Sequence, residues 1–279
     1  MLKNFLSRKQ SKTCLILSTE PEESRDLFNP HGRFNGQRVL VSGSTGTLGR
    51  LASIELARLG ATVICAGRNA ANLQDLLDEM PNGPHEILLS TSENSESLAE
   101  VTQAHSREKG GFDAIVLMTG KIQVTPSNFA SKDALEALWA ANYSIPIAYA
   151  SAFLSCPRSK NSDRVIVAVS SISAVRPQPG LAAYGASKAA LETHLLTMGK
   201  EFASRGVRVN IVRGGLVASP MAEKIHETVG PEKFDLHVSS YPLGIGATSS
   251  LIDPILFALS PRPSWMAGSI MTVDGGYTL

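Results

Sequence analysis

The chain has 279 residues, enough for one large domain or two small ones, and at this size folding buries most of the surface an unfolded chain exposes. With 43% hydrophobic and 18% charged residues its composition is ordinary for a globular protein, and a formal net charge of +1 supplies no global field favouring nucleic acid or an anionic membrane. No apolar run approaches the roughly 18 residues that span a bilayer.

Residues 1–19 carry Lys3, Arg8, Lys9 and Lys12 and no acid, like the start of a targeting segment, but the apolar stretch Cys14–Leu17 is too short for a secretory signal. Residues 20–26 are acidic and polar and suit a linker, so residues 1–33 read as a poorly ordered extension. From Gly36 the pattern changes. Arg38–Ser42 reads as a buried strand, Leu48–Leu59 as a helix ended by Gly60, and Thr62–Ala66 as the next strand. Ala70–Met80 reads as a helix, residues 81–84 as a turn, Glu86–Leu89 as a strand and Ser95–Lys109 as a polar helix. Ala114–Met118 is the fourth strand, and Lys132–Phe153 a helix that Pro146 is expected to kink. Arg164–Ser170, Val207–Val212 and Ser269–Val273 complete the strands, separated by helices over Ala183–Ala203 and Ser249–Leu259. Strands alternating with long helices predict a parallel sheet covered on both faces, and continuous apolar strands agree.

Cys14, Cys65 and Cys156 are widely spaced and form no CxxC pair, which argues against a disulfide framework or a zinc site and fits a reducing cytoplasm. The six histidines, His31, His85, His105, His194, His226 and His237, show no metal-binding spacing. Arg205 and Arg208 are expected to face solvent, and Trp139 and Phe153 to lie in the core.

Between the first strand and helix lies Gly43-Ser44-Thr45-Gly46-Thr47-Leu48-Gly49. Such a turn lets backbone N–H groups and a helix N-terminus face a pyrophosphate, which predicts a dinucleotide site. The second strand ends Gly67-Arg68-Asn69 with no acid, so Arg68 is expected to meet a 2′-phosphate and NADP(H) is favoured over NAD(H). Tyr184 and Lys188, four apart at the start of a helix, share one face. A phenol ordinarily titrates near pH 10, and an adjacent ammonium should lower that value. Ser171, thirteen residues before Tyr184, is placed to hold a carbonyl oxygen near the phenol.

Together with Asn142, Arg208-Val209-Asn210 and the ending Val273-Asp274-Gly275-Gly276, these motifs resemble the short-chain dehydrogenase/reductase family over roughly residues 34–279. The resemblance implies a single α/β domain of doubly wound Rossmann type, with a parallel sheet of about seven strands. It implies that Ser171 orients the carbonyl, Tyr184 transfers the proton, Lys188 also holds the nicotinamide ribose, and Asn142 holds a relay water. Gly43, Ser44, Thr45, Gly46, Leu48, Gly49, Arg68, Gly120, Val217 and Ser219 would complete the cofactor site. The resemblance also implies a homodimer or homotetramer acting on a small-molecule carbonyl substrate; the balanced charge and the lack of a long apolar run predict no nucleic-acid or membrane partner.

The match departs from the family's pattern in places. The glycines fall at 43, 46 and 49, a spacing closer to the branch that modifies sugar nucleotides. Leu117-Met118-Thr119-Gly120 stands where Asn-Asn-Ala-Gly is usual, Ser90 where an Asp is usual, Gly214-Gly215 where Pro-Gly is usual, and Ser219 replaces a Thr. Residues 216–247 read as a substrate lid, with Ser173, Met221, Ile225, Phe234 and Leu236 as lining. The tail and Tyr241-Pro242-Leu243-Gly244 resemble 3-oxoacyl-carrier-protein reductases and reductases of surface-polysaccharide clusters, so a ketoreductase of that kind is expected. A sugar-nucleotide epimerase or dehydratase and a non-catalytic dinucleotide sensor are the rival readings.

Overall fold

The strands form the frame of the computed structural model, which describes residues 34–90, 95–157, 164–261 and 264–279. Expectations for residues 1–33 lie outside the described residues. β1 (Arg38–Ser42), β2 (Thr62–Gly67), β3 (Glu86–Leu89), β4 (Ala114–Leu117), β5 (Arg164–Ser171), β6 (Val207–Gly214) and β7 (Ile270–Val273) pair in the order β3-β2-β1-β4-β5-β6-β7. Every pairing is parallel.

Parity along the strands sorts the core into two halves. Val39, Val41, Val63, Cys65, Val116 and Val167 pack with α1 (Thr47–Arg58), α2 (Ala70–Glu79) and α9 (Ile252–Leu259) on one face. Leu40, Ile64, Ile115, Leu117, Ile166 and Ala168 pack with α3 (Ser95–Lys109), α5 (Ile145–Ser155) and α6 (Ala182–Phe202) on the other. The seven-stranded, doubly wound Rossmann-type fold is thus present. The strand order reverses between β1 and β4, and ligands of such sheets bind in the crevice beyond the strand ends at that switch.

Four local expectations change. The helix expected over Lys132–Phe153 is α4 (Lys132–Trp139), a turn of π-helix over Ala140–Ser144, and α5. Pro146 has no N–H to give the carbonyl of Asn142, so the α-helical ladder cannot run through that turn. β5 continues through Ser171, which ends the strand rather than following it. Arg208 is buried, donating to the Ser260 carbonyl at 2.9 Å and the Met266 carbonyl at 3.4 Å, whereas Arg205 is exposed as expected. Trp139 is 42% exposed and leans on the Tyr143 ring at 5.0 Å, because the π turn rotates the helix face that periodicity assigned to the core; Phe153 is fully buried. Among the described residues, no helix is long and apolar enough to cross a membrane.

Candidate active site

The turn after β1 is shaped by its glycines. Gly43 has φ +71, and a Cβ there would stand 3.0 Å from the Thr119 nitrogen at the end of β4. A Cβ on Gly49 would run into the Gly43 carbonyl and lie 2.8 Å from the Ser44 Cα, so only glycine lets α1 start against the turn. Gly46 is the N-cap residue of α1 and brings no side chain to the first-turn N–H groups, and no acid stands in that turn. Helix N–H groups left open in this way form a cradle for a phosphate. The residues present therefore fit a dinucleotide.

At the end of β4 the departure from the usual Asn-Asn-Ala-Gly is absorbed locally. The Met118 nitrogen donates to the Ser42 carbonyl at 3.2 Å, and the Thr119 hydroxyl donates to the Ser42 hydroxyl at 3.2 Å. Gly120 is hemmed in: a Cβ there would lie 3.1 Å from Asn142 Oδ1 and 3.3 Å from Lys188 Nζ. Asn142 is fully buried in the π turn. Its Oδ1 accepts from the Lys121 nitrogen at 2.8 Å, while its Nδ2 donates to the Lys121 carbonyl at 3.0 Å and the Ser187 hydroxyl at 3.1 Å. The side chain is thus a clamp joining the β4 loop to α6, and its backbone carbonyl lacks the helix hydrogen bond that Pro146 has no N–H to supply.

β5 and α6 bring the polar set together. Gly185 permits the approach, since a Cβ there would stand 2.5 Å from the Ser173 carbonyl. Tyr184 and Lys188 are 8% and 5% exposed, and the Tyr184 phenol is hydrogen-bonded to the Ser171 hydroxyl. Ser171 Oγ also accepts from the Ser173 nitrogen at 3.2 Å, and Lys188 Nζ donates to the Val169 carbonyl at 3.0 Å. Burial pushes the Tyr184 phenol above its ordinary value, opposed by the bond to Ser171. Burial also brings Lys188 down to about 8, opposed by the Glu192 carboxylate one turn on. The direction of the Tyr184 shift is thus set by burial, and Lys188 is not among its causes.

A cleft of about 610 Å³ opens at these strand ends. Gly43, Gly46, Leu48, Gly49 and Gly120 border it together with Ser171, Ser173, Tyr184 and Lys188. Val217, Ser219, Met221 and Ile225 border it from the other side. Asn142, Ser44, Thr45 and Arg68 do not form its wall. Ser44 is fully buried, with its hydroxyl donating to the Ala66 carbonyl at 3.1 Å, so its side chain ties the turn to β2. Arg68 is exposed just past β2, beside Asn69, whose side chain caps α2 by accepting from the Asn72 nitrogen at 3.1 Å.

The segment from 216 to 247 is pinned at its base by a parallel bridge, Val217 to Gly246, with the Ala218 nitrogen donating to the Gly246 carbonyl at 2.9 Å. Between these points lie α7 (Pro220–Val229), capped by Ser219, and α8 (Pro231–Val238). They turn Met221, Ile225, Phe234 and Leu236 to the cleft. One wall was missed from sequence. Tyr241 and Tyr277 pack with ring centroids 4.5 Å apart, His237 lies edge-on to both, and Gln178 Nε2 donates to the Tyr277 hydroxyl at 3.2 Å. Arg176 holds the tail there by donating to the Thr278 carbonyl at 2.7 Å. The residue motif at 274–276 marked this tail only as a family ending; no local pattern tied it to residues 176–178.

Comparison with known proteins agrees with this geometry. The family model described as short chain dehydrogenase matches residues 37–230. The chain is 29% identical to the 3-oxoacyl-[acyl-carrier-protein] reductase of Thermotoga maritima over 260 residues, covering 88% of this chain and 100% of that protein. It is 30% identical to a galactitol 2-dehydrogenase (L-tagatose-forming) of Cereibacter sphaeroides over 258 residues, covering 88% and 97%. A solved dehydrogenase/reductase from Sinorhizobium meliloti 1021 shares the fold with a TM-score of 0.79 at 22% identity, covering 89% of this chain and 98% of that one. The matched family consists of oxidoreductases that act on alcohol or carbonyl groups with a nicotinamide dinucleotide. The chain belongs to the short-chain dehydrogenase family.

Proposed function

We propose that this protein is an NADP(H)-dependent ketoreductase of the 3-oxoacyl-carrier-protein reductase type, with residues 34–279 as its catalytic domain and residues 216–247 as its substrate lid. The observation that carries the reading is the buried Tyr184 phenol, hydrogen-bonded to Ser171, with Lys188 one helical turn away in the cleft that the glycine cradle also borders.

A nicotinamide dinucleotide, when bound, supplies the hydride. Gly43, Gly46, Leu48 and Gly49, which border the cleft, would hold its phosphates, and Gly120, Val217 and Ser219 would hold its nicotinamide end. Ser171 and Tyr184 hold the substrate's carbonyl oxygen between their hydroxyls. Tyr184 donates its proton to that oxygen as the carbon is reduced, a positioned acid contributing about 10²–10⁴-fold. Burial raises the phenol's pKa, which favours its acid form as proton donor in this reductive direction. Lys188 places a cation near the phenol as it loses its proton, and the Asn142 carbonyl offers a route for replacing that proton. The free, buried Cys65 and Cys156 support a reducing cytoplasm as the setting. A homodimer or homotetramer is the assembly we carry forward.

The choice of dinucleotide rests on the end of β2. Gly67-Arg68-Asn69 presents no carboxylate to a 2′-phosphate, and the exposed Arg68 guanidinium is the charge beside that position. Titration with NADPH and NADH should show tighter binding of NADPH, with Arg68→Ala weakening NADPH by about tenfold and sparing NADH. Equal affinities in the parent protein would refute this preference. A carbonyl panel followed by NADPH absorbance tests the activity itself.

A further inference from the structure

The chain as a whole is balanced, with 26 Lys and Arg against 25 Asp and Glu, yet the wall of the cleft is of one sign. Lys121, Lys188 and Lys233 border it, and no Asp or Glu does. Lys188 is accounted for by the catalytic set. Lys121 and Lys233 are exposed, and neither makes an ion pair among the described residues.

Both cations lie toward the catalytic end rather than the phosphate cradle. Lys121 follows Gly120 directly, and its backbone is clamped on both sides by Asn142. The loop it opens runs beside the substrate wall, where the Thr125 nitrogen donates to the Gly180 carbonyl at 2.8 Å. Lys233 sits on α8, one turn before His237, whose ring meets Tyr241 and Tyr277. The same cleft is also bordered by the apolar Ile122, Val124, Leu181, Ile225 and Phe234. A neutral carbonyl compound gains nothing from these charges, and a cationic one would be repelled.

We propose, resting on the reductase reading above, that the substrate is a carbonyl compound with an anionic group, a carboxylate or a phosphate, held by Lys121 and Lys233 while its carbonyl lies at Ser171 and Tyr184. The apolar residues of the cleft accommodate the substrate's carbons. The cleft contributes selection by charge, which acts on both encounter and affinity.

Two matched pairs of probes test the proposal: acetoacetate against methyl acetoacetate, and dihydroxyacetone phosphate against dihydroxyacetone. Each is titrated calorimetrically into the protein with oxidised dinucleotide bound, and each is turned over with NADPH, in the parent and in a Lys121→Gln/Lys233→Gln variant. The expected result is a preference of at least about tenfold for a charged member over its neutral partner. That preference should shrink about tenfold in the variant and fall with rising salt. The carboxylate and phosphate arms tell which anion is held. Failure of both charged probes to bind, or binding and turnover no better than the neutral partners, overturns the assignment. A loss of dinucleotide affinity in the variant equal to its loss of anion affinity would overturn it too, by giving the lysines to the cofactor. If the charged probes bind and no carbonyl compound is reduced, the anion site stands and the reductase reading falls.

Discussion

Lys188 sits where two demands oppose each other. It must be charged to favour a phenolate, yet it is 5% exposed, and burial brings it from 10.5 to about 8 with Glu192 pulling the other way. Between those two values the unfolded chain binds a proton that the folded chain has released, so this residue makes stability rise with pH across that window and withdraws the gain as pH falls toward 8. Lys188→Met should therefore flatten the rise between pH 8 and 10.5 and stabilise the dinucleotide-free protein at pH 7 by up to about 3 kcal/mol. Denaturant titrations across that pH range check it, and an unchanged slope in the variant would contradict the burial argument. Tyr184, Lys188 and Ser171 were legible in the sequence because helical spacing places the first two side by side and the strand end supplies the third. The direction of the phenol's shift was not, because it depends on burial by residues far apart in the chain. The clamp made by Asn142 and the approach permitted by Gly185 were illegible for the same reason: each depends on a contact across 12 to 45 residues that no local pattern encodes.

At the scale of elements, the turn from β1 into α1 carries the tightest constraint. A methyl group on Gly49 has no room, because what it meets is the backbone of Gly43 and Ser44 rather than a side chain that can turn aside. Gly49→Ala should cost about 1–3 kcal/mol of stability and weaken dinucleotide binding as α1 is pushed off the cradle. Thermal unfolding and dinucleotide titration measure the two effects, and a variant that keeps both would show that the turn is freer than this packing allows. The same contact gives the unusual spacing of glycines at 43, 46 and 49 a packing reason without appeal to sugar-nucleotide chemistry. Most elements were legible because parallel strands buried on both faces read as unbroken apolar runs. The break between α4 and α5 was harder to place. Apolar residues continue through the π turn, and Pro146 marks its far edge rather than the position where Asn142 leaves the ladder.

Across the whole molecule the cleft is a product of topology. β1 and β4 part at the switch point, β5 and β6 deliver Ser171 and Gly214, and the tail returns to close one side. The parallel sheet covered on both faces followed from the alternation of elements, whereas the pairing of Gln178 with Tyr277 joins residues 99 apart and appears only once the sheet is assembled. All of these elements converge on one phenol. The most direct measurement compares NADPH oxidation by the parent protein and by Tyr184→Phe with a substrate from the carbonyl panel, alongside dinucleotide affinity. The account predicts that the variant folds and binds dinucleotide as the parent does while kcat falls by about 10²–10⁴-fold. A variant that turns over at the parental rate would contradict it.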